Sequence, residues 1–499
     1  MSSWVILPVV WPLLTAVALL ALPAERGWHR GVSLASLAGL LALELALAGA
    51  VADGSVLVHR AGDWRPPFGI VLVVDRLTVL MLLLASVTGL AVLWYDGAEP
   101  DPTVRRLPLF FPLFQFLLMG LNGAFVTGDL FNLFVFFEVL LISSYGLVTL
   151  GASARQLRAG LQFMVLNLLS SALFLFGVGI LYGLTGTLNM ADLAVKVPAL
   201  PVTDTGLLYV SMMTLLVVFA SKAALLPLAF WLPDTYPSPP AAISAMFGGI
   251  ATKVGVYALL RVFTTVFAGV RAPGAEVLIA LGIVSMIVGV LGAVAQTELR
   301  RLLSFHIISQ IGYLAFGIGL FTIAGVAGAL FYLTHYTIVK CALFLVSGAA
   351  ERLGGARDLK KLGGLAGRSP ALAALFFVAG ISLAGLPPTS GFFSKFLVAA
   401  AGLEAGRYLG VTVCFVAGIL TLFSMMKIWT MAFWGAAPAA AAGPRPGRGV
   451  LAAIALLVSF SVTLAAGAAP LYDYAVATAT QLLDTPTYVA AVFGPGGRP

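Results

Sequence analysis

FASKAALLPLAFWLPD (219–234) and LAGLPPTSGFFSKFL (383–397) decide how this chain is read. Each sets a lysine, Lys222 or Lys395, inside an otherwise apolar stretch. Each also interrupts that stretch with proline: Pro227 in the first, Pro387 and Pro388 in the second. A charge at mid-membrane costs ~2.5–3.5 kcal/mol on insertion scales, so its default reading is functional. An apolar segment broken by Gly or Pro, and recurring in both halves of a chain, is the sequence mark of an ion path. The two marks coincide here and imply a chain that moves ions.

A proline strands the carbonyl four residues before it. Pro227 should therefore free the carbonyl of Ala223, and Pro387 and Pro388 those of Leu383 and Ala384. Freed carbonyls are not tolerated against lipid, so both breaks must face protein or water. A packing kink is the plainer alternative for one such proline. A lysine beside each break, at matching places in the two halves, argues against it.

The rest of the chain agrees. Hydrophobic residues make up 61% of the 499 and charged residues 10%, and the mean hydropathy is +1.05. A soluble core of that composition is excluded. Read at ~20 residues per crossing, the apolar runs fall near 4–22, 31–52, 70–95, 107–127, 130–150, 160–186, 206–231, 241–266, 274–296, 302–320, 322–349, 370–400, 408–435 and 449–470. The fold class is therefore an all-α integral membrane protein of about fourteen transmembrane helices. The first run lacks the basic start and small-residue exit of a cleaved signal peptide.

The broken helices are the seventh and the twelfth. An odd offset of five reverses direction in the membrane, which predicts two inverted five-helix repeats with discontinuous helices 7 and 12. The expected organisation is 1–106 for helices 1–3, 107–266 for the first repeat (helices 4–8) and 267–436 for the second (helices 9–13). Helix 14 and a short tail fill 437–499. Loop arginines and lysines, Arg105, Arg106, Arg300, Arg301, Lys360 and Lys361 among them, gather on one side. The positive-inside rule makes that side cytoplasmic and puts both termini on the other. The net charge of +8 is spread over loops, so it does not suggest nucleic acid.

The buried charges are the candidate machinery. Glu138 lies mid-helix in FNLFVFFEVLLISSYGL (131–147). Paired with Lys222 it would share the cost of burial, and separating the pair would drive the lysine toward giving up its proton; a structural salt bridge is the alternative. Lys253 sits about twelve residues into its helix, with Gly249 a turn before it and Tyr257 a turn after. His306, Ser309, Gln310 and Tyr313 share one helix face, suited to a proton relay or to interhelical hydrogen bonding. Lys340 shares a face with Tyr336 and Ser347, whereas His335 points ~140° away and either serves another neighbour or merely packs. Lys427 lies nearer a helix end between tryptophans and fits an interfacial anchor as well as a relay. Asp129 reads as a helix cap, Asp75 and Arg76 as structural or partner-facing, and Arg261 as a loop charge.

No motif would bind a nucleotide, nicotinamide or flavin, so no cofactor is implied. No Cys/His spacing suits a metal or an iron–sulfur cluster, and the residues define no cation site. The chain must exchange one gradient for another or be driven by a partner.

The stretches TGDLFNLFVFFEVLLISSYGL (127–147), WLPDTYPSPPAAISAMFGGIATKVGVYALLR (231–261), HIISQIGY (306–313), HYTIVKCALFL (335–345) and GLPPTSGFFSKF (385–396) resemble the antiporter-like proteins shared by Mrp-type multisubunit cation/proton antiporters and respiratory complex I. The first stretch and SMMKIWTMAFWG (424–435) look most like the D-type subunit of the Mrp complex. The resemblance implies a fourteen-helix fold, inverted repeats and a polar axis along the membrane midplane. It makes Glu138, Lys222, Lys253 and Lys395 the family's characteristic membrane charges, with His306, His335 and Lys340 at its central polar positions. It also implies a secondary transporter rather than an enzyme. The implied complex is hetero-oligomeric, lies in the bacterial plasma membrane and exchanges Na⁺ or K⁺ for H⁺. Lys395, where one complex I paralogue has glutamate, and Tyr236, where some have histidine, argue against those paralogues. The second reading is a proton-pumping subunit of a complex I-like enzyme or membrane hydrogenase.

Overall fold

The computed structural model describes residues 2–21, 23, 26–64, 67–99, 109–436 and 443–494. The basic pair Arg105 and Arg106, and the boundary at 106/107, lie outside them. With no water in a bilayer, a spanning segment must satisfy its backbone internally, and these apolar runs do so as helices. They are α1 (Leu7–Ala21), α2 (Arg26–Ala50), α3 (Arg76–Ala98), α4 (Phe110–Val126), α5 (Leu130–Thr149), α6 (Ala154–Thr185) and α7 (Thr205–Ala223). Next come α8 (Ala241–Thr265), α9 (Ala272–Ala295), α10 (Leu299–Gly319), α11 (Ile323–Gly354), α12 (Pro370–Ala384) and α13 (Ser390–Glu404). The chain ends in α14 (Tyr408–Ile428), α15 (Arg448–Ala466), α16 (Ala468–Leu483) and α17 (Thr485–Phe493). Among the described residues 12 helices are long and apolar enough to cross a membrane, and α4 and α12 are shorter apolar helices. The chain is an all-α, multi-pass integral membrane protein.

The middle of the bundle is α11, buried from Gly325 to Glu351, with most of α8 and α10 buried as well. The outer faces carry side chains suited to lipid or to a neighbouring chain, such as Leu161, Val165, Leu169 and Phe176 of α6. Small residues let α9 and α10 touch backbone to backbone. A methyl group added at Gly282 would stand 2.8 Å from the carbonyl oxygen of Gly312.

Both proline-marked segments are discontinuous. Helix α7 ends at Ala223; Ala224 is left-handed (φ 60), and only the short turn Leu232–Thr235 interrupts the irregular path to α8. Helix α12 ends at Ala384, Gly385 is left-handed (φ 89), and the chain resumes as α13. Glycine takes that conformation at no steric cost, whereas Ala224 pays for it in strain. The amide of Leu226 is satisfied across the break by the Ser285 hydroxyl of α9, at 2.9 Å. Within α8 a π-helical turn, Phe247–Ala251, precedes Lys253.

Two expectations need correction. Residues 70–74 do not open a helix: β1 (Leu57–Arg60) pairs antiparallel with β2 (Val71–Val74), Leu57 opposite Val74. A four-residue run such as VLVV has no period that separates strand from buried helix. The helix begins only where Asp75 caps it, accepting from the Thr78 amide at 2.9 Å. Arg261 is no loop charge. It is 2% exposed and clamps Asp75 at 2.7 Å, with Tyr257 Oη accepting from its Nε at 3.2 Å. Burial pushes the Asp75 carboxyl up, and Arg261 with the Thr78 amide outweighs it, holding Asp75 below its ordinary value. The C-terminal tail is helical and packs on the bundle, α16 lying against α11. Gln481 joins the Arg76 amide to the Gly54 carbonyl, and Tyr474 donates to the Arg76 carbonyl at 2.7 Å.

Candidate functional site

The buried charges form two clusters, the second threaded by aromatic rings. In the first, α5 presents Glu138, α6 presents Asn167 and Ser171, and α7 presents Lys222 one residue before its end. Glu138 and Lys222 form no direct ion pair. The Ser171 hydroxyl donates to Glu138 Oε1 and accepts from Lys222 Nζ at 3.2 Å. Lys222 also reaches Asn167 Oδ1 at 3.3 Å and lies 5.9 Å from the centre of the Phe137 ring. Lys222 is 6% exposed, whereas Glu138 is only partly buried in the isolated chain. A cavity of about 20 Å³, lined by Asn167, Lys222, Tyr236 and Phe247 among others, adjoins the lysine. That is room for one water.

The second cluster is built on α11. Lys253, the first residue of regular helix after the π turn, donates to the Gly248 carbonyl at 2.6 Å and lies 4.0 Å from the centre of the Tyr336 ring. Lys340, one helical turn after Tyr336, is fully buried. Its ammonium has no hydrogen-bond partner among the described residues, and its nearest ring is Phe344 at 5.7 Å. From Tyr336 the rings continue to Tyr332 (6.2 Å) and on to Tyr313, stacked at 5.2 Å. Lys395 Nζ lies 5.3 Å from the centre of the Tyr313 ring. Lys395 also donates to the carbonyl of Ala384 at 2.8 Å. That carbonyl is one of those the paired prolines set free, so the break and the charge satisfy each other.

The histidines serve different neighbours. His335, across α11 from Lys340, has Nδ1 2.8 Å from the Ser390 hydroxyl at the start of α13. Ser390 in turn contacts Ser382 and Ser461. His306 Nε2 lies 2.5 Å from Ser424 Oγ. On the same face of α10, Gln310 accepts from Tyr332 Oη and Tyr313 donates to the Cys414 carbonyl at 2.5 Å. Lys427 stands apart: it caps the end of α9, donating to the carbonyls of Val294 and Gln296 at 2.9 and 2.7 Å. Asp129 caps α5, accepting from the Asn132 amide at 2.9 Å, and burial pushes its carboxyl up to about 6.

The sequence reading did not single out Ser171, Asn167, Ser390, Ser424 or Tyr332. Their signal was weak, since a lone polar residue in an apolar helix often bonds to its own backbone. Ser143 and Ser144 do so here, to Val139 and Leu140.

Comparison with known proteins adds an independent line. Residues 127–421 match the family model described as "NADH:quinone oxidoreductase/Mrp antiporter, TM". The chain is 45% identical over 494 residues to a protein of Alkalihalophilus pseudofirmus named as the D-type subunit of a Na(+)/H(+) antiporter, with 99% of each chain covered. It is 39% identical over 496 residues to the like-named protein of Bacillus subtilis, again with 99% of each covered. Its fold matches a chain in the structure of the Mrp complex from a Dietzia species, with TM-score 0.92, 35% identity, and 99% of this chain and 100% of that one covered. A chain of the membrane-bound sulfane sulfur reductase, an archaeal respiratory membrane complex, matches with TM-score 0.90 and 26% identity, covering 98% of this chain and 99% of that one.

Proposed function

This chain belongs to the NADH:quinone oxidoreductase/Mrp antiporter transmembrane family, among proteins named as D-type subunits of Na⁺/H⁺ antiporters, and from that premise we propose that it is the proton-translocating subunit of a multisubunit Na⁺ or K⁺/H⁺ antiporter. Its partners are the other, hydrophobic subunits of an Mrp-type complex in the bacterial plasma membrane, with both termini outside. The inverted repeats 107–266 and 267–436 each contribute one broken helix to the path.

The observation that carries this reading is the Glu138–Ser171–Lys222 bridge. A carboxylate and an ammonium held through one hydroxyl share a cost of burial that neither bears well alone. Drawing them together favours the charged lysine; parting them favours release of its proton. Lys222 then passes its change of state to Lys253 and Lys340. From there the tyrosine rings, His306 and His335 lead to Lys395 at the second break. Both breaks supply slack: an irregular segment between two rigid helices shifts at less cost than a helix does.

The reading as a redox-driven pump uses the same bridge, pushed by a partner enzyme. The likeness to the sulfur reductase chain is the observation in its favour, against higher identity to the antiporter proteins. Gentle extraction from the native membrane, followed by mass spectrometry of the stable partners, separates the two. Small hydrophobic chains with one larger antiporter-like chain support the antiporter; partners carrying clusters or flavin overturn it.

A further inference from the structure

A charged cavity of about 440 Å³ opens at one end of the bundle, between the end of α3, the start of α8, the start of α10 and the end of α11. Its wall is an ion-pair network. Arg300 is held by Glu351 and donates to the Pro239 carbonyl at 2.6 Å. Arg352 pairs with Glu99 at 3.0 Å, and Arg357 approaches Glu351 at 3.7 Å. Opposite charges in such numbers favour water over an anion or a lipid tail. The floor is Tyr95, Ala241 and Gly348. Gly348 leaves no room for a side chain: an added methyl would lie 2.2 Å from Ala241 Cβ and 2.7 Å from Tyr95 Oη.

The helix that forms this floor leads directly to the axis. On α11, Gly348, Phe344 and Lys340 follow at intervals of four, on one face. The floor is thus ~12 Å from Lys340 at 1.5 Å per residue. On that face Phe344 stands between them. Its ring packs against Gly248 of the π turn, the residue whose carbonyl holds Lys253, and its centre lies 5.7 Å from Lys340 Nζ. Beyond the ring, Lys340 Nζ, Thr337 Oγ1 and Tyr336 Oη of α11, with Thr252 Oγ1 of α8, are buried without a hydrogen-bond partner among the described residues. Buried polar groups left by protein are satisfied by water, and four together mark a site that water must reach.

We propose that this cavity is the aqueous mouth through which protons reach the axis, that Lys340 receives them, and that the Phe344 ring is the barrier between mouth and axis. The proposal rests on the proton-axis reading above. Phe344 thereby controls access, and the ion pairs of the wall keep the mouth wet. Tyr95 and Gly348 set the height of the floor.

The test uses the assembled complex in vesicles of either orientation, with silver ion as the probe because it follows water and binds thiols. Cys341, beside Lys340, is a native thiol beyond the barrier, and Cys414→Ser leaves it the only thiol of this chain; Ala356→Cys, made separately, reports on the mouth. Silver added on the cavity's face should block the Ala356→Cys thiol promptly and Cys341 slowly. Phe344→Ala should speed the block of Cys341 at least about tenfold, the change given by removing ~1.4 kcal/mol of barrier, and only from that face. If Phe344→Ala fails to assemble, Phe344→Leu serves, with a smaller acceleration from the same face. Unchanged protection of Cys341, faster block from the opposite face, or an Ala356→Cys thiol unreactive from both faces overturns the proposal. Lys340→Gln separates the two readings: intact antiport in it overturns Lys340 as the receiver and the axis reading with it, while the silver pattern tests the mouth and the Phe344 barrier by itself.

Discussion

Ser171→Ala is the sharpest perturbation the site offers. It removes one oxygen, and with it the only hydrogen bond to Glu138 among the described residues and one of the bonds to Lys222. Hydrogen bonds to charged groups contribute ~1.5–3 kcal/mol. At ~1.4 kcal/mol per factor of ten, losing the bridge shifts the balance between joined and parted states about ten- to a hundredfold. If that balance governs proton release from Lys222, antiport should fall by a similar factor. The assay is cation-induced collapse of a pH gradient in inverted vesicles, with assembly of the complex checked by its native size. Ser171→Thr, which keeps the hydroxyl, should retain most of the rate. Ser170→Ala is the control: the neighbouring hydroxyl has no partner among the described residues and should be dispensable. An assembled Ser171→Ala complex working at more than half the parent rate would refute the bridge.

Three further outcomes follow from the geometry. Arg261→Met leaves Asp75 buried and unpaired, which typically costs ~3–5 kcal/mol; thermal unfolding of the purified complex should come well earlier, and an unchanged midpoint would contradict the clamp. Lys427→Ala removes a cap on the carbonyls of Val294 and Gln296 rather than a member of the axis, so antiport should drop far less than in Glu138→Ala. An equal loss would move Lys427 into the relay. Burial raises the Asp129 carboxyl from 3.8 to about 6, so the folded chain binds its proton more tightly than the unfolded one. That contribution to stability is present below about pH 4 and is lost as pH rises through 6. Thermal stability measured from pH 4 to 7 should show this fall in the parent and lack it in Asp129→Asn.

Much of this was legible in the sequence because charge in an apolar segment is rare and proline acts by position. The freed carbonyl of Ala384 and the lysine beside it were both readable, and they turn out to hold each other. What the sequence hid was partnership. Glu138 and Lys222 meet through Ser171, and one serine among several in apolar helices announces nothing. Arg261 hid for the opposite reason: its partner Asp75 lies 186 positions away, so an arginine near a helix end reads as a loop charge. The strand Val71–Val74 hid in its shortness. The aromatic path hid because tyrosines in a buried helix are ordinary core until their rings are seen in line.

The most direct measurement of the central claim is cation-driven proton exchange by the complete complex carrying Glu138→Ala, purified and reconstituted into liposomes beside the parent. The account predicts an assembled complex with exchange abolished, and partial recovery in Glu138→Asp, where the carboxylate sits on a shorter arm. Robust cation-dependent collapse of the pH gradient by Glu138→Ala would contradict it.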